Sequence, residues 1–585
     1  MNSFIQVNSV VIHDAQQQQW LFFQHPVSIL VADTLQDVSS LLESVQHSVT
    51  HQGLYAVGFV SYEASPAFDL ALKVKSGCQL PLAWFALYAQ PETISLPVGE
   101  AIAPLVWTPD ISRETYQQSF QQIKHAIYQG LTYQVNYSFR LRSPFSQNPW
   151  HYFLALTQAQ NGRYGAFINT ADWSICCASP ELFFHQTESQ ILCMPMKGTS
   201  PRGLSSTQDQ QWAKALQQSE KNRAENLMIV DMVRNDLGRI ARTGTVTVPK
   251  LFELEQYPTL WQMTSTVQCQ TDASLSQIFQ ALFPCASITG APKPSTMKLI
   301  TELERSPRQI YTGTIGFLTP HGTSQFNVAI RTVLIDKQQQ QAEYGVGGGI
   351  VWDSVEQDEY EECCTKAKIL TRSQPSFSLL ETLLWTPLEG YFLLDLHLDR
   401  LQQSAAYFAF PMERASVNDY LERLAQNLGD RHSPHKVRLL LAPNGDLSSQ
   451  SDPIAAASAA PVLLNVGLAK SPIQSTNPWL YHKTTARQVY EQAALPGYDD
   501  VILWNERGEI TESCTANLIV EWDGEWYTPP LHCGLLAGTY RAWLLQQGKV
   551  KERVIRVEDL PHCSRLFLVN SVRHQRQAQW GGQVG

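Results

Sequence analysis

Two lysines stand where this chain could do covalent chemistry. Lys197 lies in Pro195-Met196-Lys197-Gly198-Thr199-Ser200-Pro201-Arg202-Gly203, just after the strand-like run Ile191-Leu192-Cys193-Met194. A lysine held where a strand gives way to a tight turn can shed its hydration and act as a neutral amine nucleophile. Taken alone it is equally a solvated loop residue. Acids gather at two other places. Glu220 and Glu225 open one helical stretch, and Glu359, Glu361 and Glu362 open another, with Glu359 and Glu362 on one face. Hard oxygen donors from two elements suit Mg2+, with a substrate carboxylate completing the shell, although acids also favour helix N-termini for the dipole alone.

The second lysine, Lys483, lies in Tyr481-His482-Lys483-Thr484-Thr485-Ala486-Arg487. Glu512 follows in Glu509-Ile510-Thr511-Glu512-Ser513, and Gly534-Leu535-Leu536-Ala537-Gly538-Thr539-Tyr540-Arg541 reads as a glycine-bounded turn into a helix, whose first N–H groups can hold a phosphate. Lysine, carboxylate and phosphate cup are the three parts a pyridoxal-phosphate enzyme needs: an attachment point, a partner for the pyridine nitrogen and an anchor. Each also has a plain structural use, as a surface lysine, a strand-end acid or a helix boundary.

These residues need elements to carry them. Leu82 to Tyr88 has strand character, and Ser219 to Ile240 predicts a helix whose buried face is Leu227, Val230, Val233 and Leu237. A second helix is expected from Ser354 to about Leu370, opened by a capping box of Ser354 and Gln357. Ser287–Lys293 and Gly345–Gly349 read as backbone-permissive turns able to point N–H groups at an anion. Arg331 falls on a strand-like segment, where a half-buried guanidinium usually meets a carboxylate. The runs Gln16–Gln19 and Gln338–Gln341 read as surface turns. Patterning breaks at Thr371-Arg372-Ser373-Gln374-Pro375-Ser376, and this sets domains at 1–372 and 378–585 with a linker at 373–377. The Ala/Ser/Pro stretch from Asp452 to Pro461 divides the second half into subdomains of about 378–455 and 460–585.

Length and composition bound the rest. The chain has 585 residues, 44% of them apolar, and a formal net charge of −10, enough for several buried cores and ill-suited to a nucleic-acid or anionic-membrane partner. No run of about 18 apolar residues predicts a membrane span, and the N-terminus carries no secretory pattern. Eleven cysteines, two adjacent pairs among them and no CxxC, suit neither a disulfide framework nor zinc. A reduced, cytoplasmic, soluble enzyme is the expectation.

Six ordered motifs then carry a resemblance. They are Tyr133-Gln134-Val135-Asn136, Ser179-Pro180-Glu181-Leu182-Phe183, Pro195–Gly203, Ser219–Asn226, Ser287–Lys293, and Gly347–Ser354 with Glu359–Lys368. Over about residues 110–371 the chain resembles the chorismate-utilising enzymes: anthranilate, isochorismate and aminodeoxychorismate synthases. The resemblance implies an α+β fold with a two-layered β-sheet sandwich core and peripheral helices. It implies Mg2+ on Glu225 and Glu362 with Glu359 close by, and a chorismate pocket formed by Tyr311, Arg331, Thr289, Gly290, Gly347, Gly348, Lys366 and Gln134. Isochorismate-forming relatives carry a water-activating lysine at the place of Gln134, and a glutamine cannot be that base. Lys197 replaces the alanine usual in anthranilate and isochorismate synthases and matches the nucleophile of the aminodeoxychorismate branch, with Glu181 placed to protonate the departing C4 hydroxyl. Gln262 stands where many relatives have His, so no proton transfer is assigned there; Thr264 and Ser265 are kept as polar pocket groups. No glutaminase pattern of Cys with downstream His and Glu is visible, which implies a separate glutamine amidotransferase subunit supplying ammonia.

From about 377 to 580 the chain resembles fold-type IV pyridoxal-phosphate enzymes, most closely aminodeoxychorismate lyase. Asp395-Leu396-His397-Leu398-Asp399-Arg400-Leu401 and Asn570-Ser571-Val572-Arg573 join the lysine, acid and cup in carrying it. The resemblance implies a two-subdomain, aminotransferase-like α+β domain, with pyridoxal phosphate held by Lys483, Glu512, Arg400, Gly538 and Thr539, and by analogy a homodimer through this half. Together the halves imply a bifunctional route from chorismate to 4-aminobenzoate. The rivals are an anthranilate-type synthase, and a synthase whose C-terminal half is a catalytically silent scaffold.

Overall fold

The structure is a computed structural model that describes residues 5–581 except 98, 101, 161, 371–376, 430–431 and 455–462. The expected linker, apart from Phe377, and most of the Asp452–Pro461 stretch lie outside the described residues. The chain divides into two compact units, one of residues 1–201 and 213–374, the other of residues 375–585 together with 202–212. Among the described residues, no helix is long and apolar enough to cross a membrane. The cysteines are free thiols.

The first unit is a sandwich of two ten-stranded sheets. Between them lies a core to which one sheet gives Val10, Ile12, Phe23 and Ile168, and the other Val57, Phe59, Trp84 and Phe317. Helices cover the outer faces, each burying its own apolar stripe. In one sheet β1 (Gln134–Pro144) pairs antiparallel with β5 (Gln341–Ile350) from Gln341 opposite Pro144 to Ile350 opposite Val135. In the other, β2 (Gln190–Met194) and β3 (Met196–Pro201) both pair with β4 (Leu260–Gln270).

Two helices carry the acids. α1 (Glu220–Gly238) starts where expected, with the Ser219 side chain accepting from the Asn222 N–H. Its buried face includes Ile229, Val230, Val233 and Leu237, but Leu227 is 44% exposed: the stripe runs through Asn226 and Ile229 instead, because Asn226 is hydrogen-bonded inward. α2 (Glu356–Ala367) has no capping box. Ser354 sits before its N-cap and bonds the Val351 N–H and the Glu359 carboxylate, so it is not available to cap the helix.

One expected turn and one expected strand position also differ. Gly345–Gly349 is the interior of β5 rather than a loop. A Cβ on Gly345 would lie 2.1 Å from the Tyr311 ring, and one on Gly347 would lie 2.4 Å from the Tyr137 carbonyl oxygen, so glycine here permits close approach of neighbours. Arg331 sits just before the strand Thr332–Asp336 at φ +51°, off the regular ladder.

The second unit holds a four-stranded and an eight-stranded sheet. In the smaller sheet, β6 (Leu379–Thr386) pairs with β7 (His435–Leu441), which pairs with β8 (Leu447–Pro453). One face packs on α3 (Leu394–Phe408) and α4 (Arg414–Gln426) through Leu383, Val437, Leu439, Leu398 and Leu421. The larger sheet includes β9 (Ile510–Ser513) and β10 (Asn517–Trp522), and α5 (Thr539–Gln546) follows, with Gly538 as its N-cap.

Candidate active sites

In the first unit a cavity of about 340 Å3 gathers Lys197, Glu181, Glu225, Glu359, Glu362, Tyr311, Arg331, Gly347 and Lys366. Lys197 is the second residue of β3, and the next residue, Gly198, has φ +101°, an irregularity in the β3–β4 ladder that only glycine adopts without strain. The segment is clamped from three sides. Asn226 donates to the Lys197 carbonyl at 3.1 Å, the Gln262 amide donates to the Gly198 carbonyl at 2.9 Å, and the Thr199 hydroxyl donates to the Gln262 carbonyl at 3.3 Å. Gln262 therefore positions the lysine loop. The Lys197 amine lies 3.5 Å from a Glu225 oxygen.

Glu181 is buried and accepts from the Ser287 hydroxyl at 2.6 Å; burial pushes its carboxyl up to about 7. Arg331 is desolvated, which lowers its pKa, and its Nη1 is buried without a hydrogen-bond partner. A guanidinium in that state calls for an anion. Gln134, fully buried, likewise leaves both amide atoms without partners. A Cβ on Gly349 would lie 2.4 Å from the Lys197 amine and 2.8 Å from the Gln134 amide nitrogen, which puts both groups beside the same glycine.

The acids fit Mg2+ as two carboxylates rather than as a ready cage. Among the described residues no group of three acids, histidines or cysteines is close enough to hold an ion. Glu362 pairs with Lys366 at 2.7 Å, which holds its pKa down, while burial raises Glu359, which accepts from Ser354. Glu225 and Glu362 offer hard oxygen donors facing one cavity, a set that suits an ion whose shell a ligand carboxylate and waters complete.

Not every expected group reaches the cavity wall. The Thr289 hydroxyl turns inward to the Cys285 and Ala286 carbonyls, and Gly290 packs against the Gln134 backbone, where a Cβ would lie 2.0 Å from its carbonyl oxygen. Gly348 is not among the lining residues, although a Cβ there would lie 3.2 Å from a Glu359 oxygen. Thr264 and Ser265 are not pocket groups either: Ser265 bonds Asn226 and the Phe252 N–H. Lys221, Asn222, Asn136 and Tyr344 line the cavity and were not singled out. Lys221 and Asn222 lie four and three residues before Glu225 on α1, a helical spacing that puts them on its side of the helix and could have pointed to them.

The second unit has its own cavity, of about 400 Å3, lined by Lys483, Glu512, Arg400, Gly538 and Thr539. Lys483 is held by its own backbone, whose carbonyl accepts from the Leu380 N–H at 2.9 Å. Burial, reinforced by Arg400, lowers its pKa to about 8. Glu512 accepts from the Tyr490 hydroxyl at 2.8 Å, the Leu536 N–H at 3.1 Å and the Asn517 amide at 3.1 Å, and burial raises it to about 7. Arg400 donates from Nε and Nη2 to Glu381 and from Nη1 to the Ala537 carbonyl. Burial opposes ionisation of Glu381, but Arg400 and His397 together hold it down to about 2. Gly538 cannot carry a side chain, because a Cβ would lie 1.8 Å from the Asn517 oxygen. An amine of lowered pKa, a buried carboxyl and a helix start around one cavity fit pyridoxal phosphate.

Two domain families account for these two cavities. Residues 93–372 match the chorismate binding enzyme family and residues 378–579 match amino-transferase class IV. The chain is a chorismate-binding enzyme domain joined to a class IV amino-transferase domain. In its first part it is 40% identical over 262 residues to aminodeoxychorismate synthase component 1 of Escherichia coli K12, covering 44% of this chain and 57% of that protein. It is 34% identical over 307 residues to anthranilate synthase component 1 1 of Haloarcula marismortui, covering 52% of this chain and 62% of that one. It thus spans less than two thirds of either relative. The crystal structure of anthranilate synthase component I from Streptococcus pneumoniae shares the fold, with a TM-score of 0.53 at 24% identity over 63% of this chain and 93% of that one.

Proposed function

We propose that the chain makes 4-aminobenzoate from chorismate and ammonia, through 4-amino-4-deoxychorismate. The observation that carries this reading is that each cavity brings a lysine amine, Lys197 in the first and Lys483 in the second, together with a buried carboxyl raised to about 7, Glu181 or Glu512. In the first cavity the Arg331 guanidinium, whose buried Nη1 lacks a hydrogen-bond partner, grips the enolpyruvyl carboxylate together with Tyr311. Glu225 and Glu362 would hold Mg2+, which when bound supplies positive charge for the ring carboxylate. The Lys197 amine attacks C2, both ring double bonds shift by one position, and the C4 hydroxyl leaves as water with a proton from Glu181. Ammonia adds at C4 and expels the lysine, giving 4-amino-4-deoxychorismate. Gln134, beside the Lys197 amine, offers amide groups to orient the incoming nitrogen and no base to activate water.

Pyridoxal phosphate, when bound in the second cavity, supplies the electron sink for chemistry at the carbon bearing the amine. Lys483 would be its attachment point, Glu512 the group holding a proton at the pyridine nitrogen, and Gly538 and Thr539 the phosphate cup, with Arg400, held by Glu381 and Ala537, lending that end positive charge. The Lys483 amine then takes the C4 proton. Loss of the enolpyruvyl group as pyruvate leaves an aromatic ring, and aromatisation drives the step. The product is a folate precursor, and the ammonia would come from a separate glutamine amidotransferase.

The test is to incubate the pure chain with chorismate, an ammonium salt, Mg2+ and pyridoxal phosphate, and to identify products by mass. 4-Aminobenzoate and pyruvate are expected in equal amounts. Anthranilate as the product would replace the synthase reading, and accumulation of 4-amino-4-deoxychorismate would reduce the C-terminal half to a scaffold.

A further inference from the structure

β7 alternates strictly. His435, Val437, Leu439 and Leu441 are buried, whereas Lys436 and Arg438 are exposed on the other face, where they line the second cavity together with Thr382 of β6. A strand face that needed only to be wet would have no reason to put two like charges two residues apart, about 7 Å along the strand, where they repel. Neither side chain makes an ion pair among the described residues. Asp452 lies opposite Lys436 in the β7–β8 register, yet it accepts from Gln450 instead.

Three of the four other cations of this cavity have work already, and the fourth, Arg573, is compared with the pair in the experiment. Arg400 is committed to Glu381 and Ala537, Arg487 donates to the Cys514 carbonyl, and Lys483 is the reactive amine. Glu512, raised to about 7, is only partly ionised near neutral pH. The pair on β7 is therefore positive charge in surplus.

We propose that Lys436 and Arg438 bind carboxylates of the amine substrate at the second site, and that they set its preference for a dicarboxylate over simple amino acids. This rests on the reading above, in which the substrate carries a ring carboxylate and an enolpyruvyl carboxylate away from its amine. An anion seated between the two side chains removes their mutual repulsion and gains charge-assisted hydrogen bonds, bidentate in the case of the guanidinium.

The experiment uses the full chain loaded with pyridoxal phosphate, in Lys436→Gln, Arg438→Gln, double and Arg438→Lys forms, with Arg573→Gln as a comparison because Arg573 also lines the cavity. Cofactor loading is read by absorbance, dicarboxylate binding by calorimetry with isophthalate as the probe, and elimination kinetics with 4-amino-4-deoxychorismate. The double variant is expected to load cofactor normally. Its isophthalate Kd and substrate KM should each rise about tenfold to a hundredfold, with kcat within about threefold. Arg438→Lys should recover part of the loss. Unchanged isophthalate binding in the double variant, or a loss that follows Arg573→Gln instead, overturns the proposal. If the wild type binds isophthalate through this pair but releases no pyruvate, the elimination reading fails and the carboxylate site stands.

Discussion

The two lysines sit in opposite electrostatic settings. Lys197 faces Glu225, and its neighbour Lys366 faces Glu362, so the first cavity brings cations and acids together in pairs. Lys483 has burial and Arg400 working against its charge, in a cavity whose carboxyl is raised and whose rim is cationic. The difference follows the chemistry proposed for each. A site that gathers a divalent ion and a dianion needs acids of its own to hold the ion. A site that binds a phosphate and an anionic amine needs surplus positive charge and a lysine that is easily neutral.

The largest effects should separate the halves. Lys197→Ala is expected to reduce formation of 4-amino-4-deoxychorismate at least about a thousandfold while leaving pyruvate release from supplied 4-amino-4-deoxychorismate unchanged. Lys483→Ala should do the reverse. Product analysis of both variants checks this, and a Lys197→Ala enzyme with full synthase turnover would break the parallel between the lysines.

Glu181→Gln should cost the first step about a hundredfold to ten-thousandfold. In the wild type Glu181 donates from its protonated form, so first-step activity should fall as pH rises through about 7. That limb should vanish from the pH profile of the variant. Lys483 gives the opposite sign. Its neutral form gains population as pH rises towards about 8, so the rate of cofactor attachment to the apo chain should increase about fivefold from pH 7 to pH 8. Stopped-flow absorbance measures that rate. The smallest effect is expected at Gln262→Ala, which removes one amide that donates to Gly198 and accepts from Thr199. A loss of about 1–2 kcal/mol in unfolding free energy and a reduction in first-step kcat of about tenfold or less are expected, measurable by denaturant titration and steady-state kinetics.

Much of this was legible in the sequence. The glycine after Lys197 and the Ser219 cap both mark local backbone geometry, which short motifs encode. Motifs could not tell a wall from a backing. Thr289 lies in a conspicuous turn, yet its hydroxyl serves neighbouring carbonyls. The run Gly345–Gly349 looks like a loop by composition, and becomes a strand because five partners on β1, Asn136 to Arg140, pair with it and bulky neighbours take the space of its missing side chains. Lys436 and Arg438 belong to no motif. Only pairing with β6 and packing on α3 and α4 decides which face of β7 meets the cavity, and that information is tertiary.

Gly349 has a consequence for anyone wishing to silence one half. Its neighbours at the empty Cβ position are the tips of two flexible side chains, the Lys197 amine and the Gln134 amide, and not rigid backbone. A single added methyl would displace those tips while the surrounding ladder stays intact. Such a chain would be a well-folded blank for the synthase reaction, with the acids still in place and only the Lys197 and Gln134 tips moved, and it would leave the downstream half to be studied undisturbed.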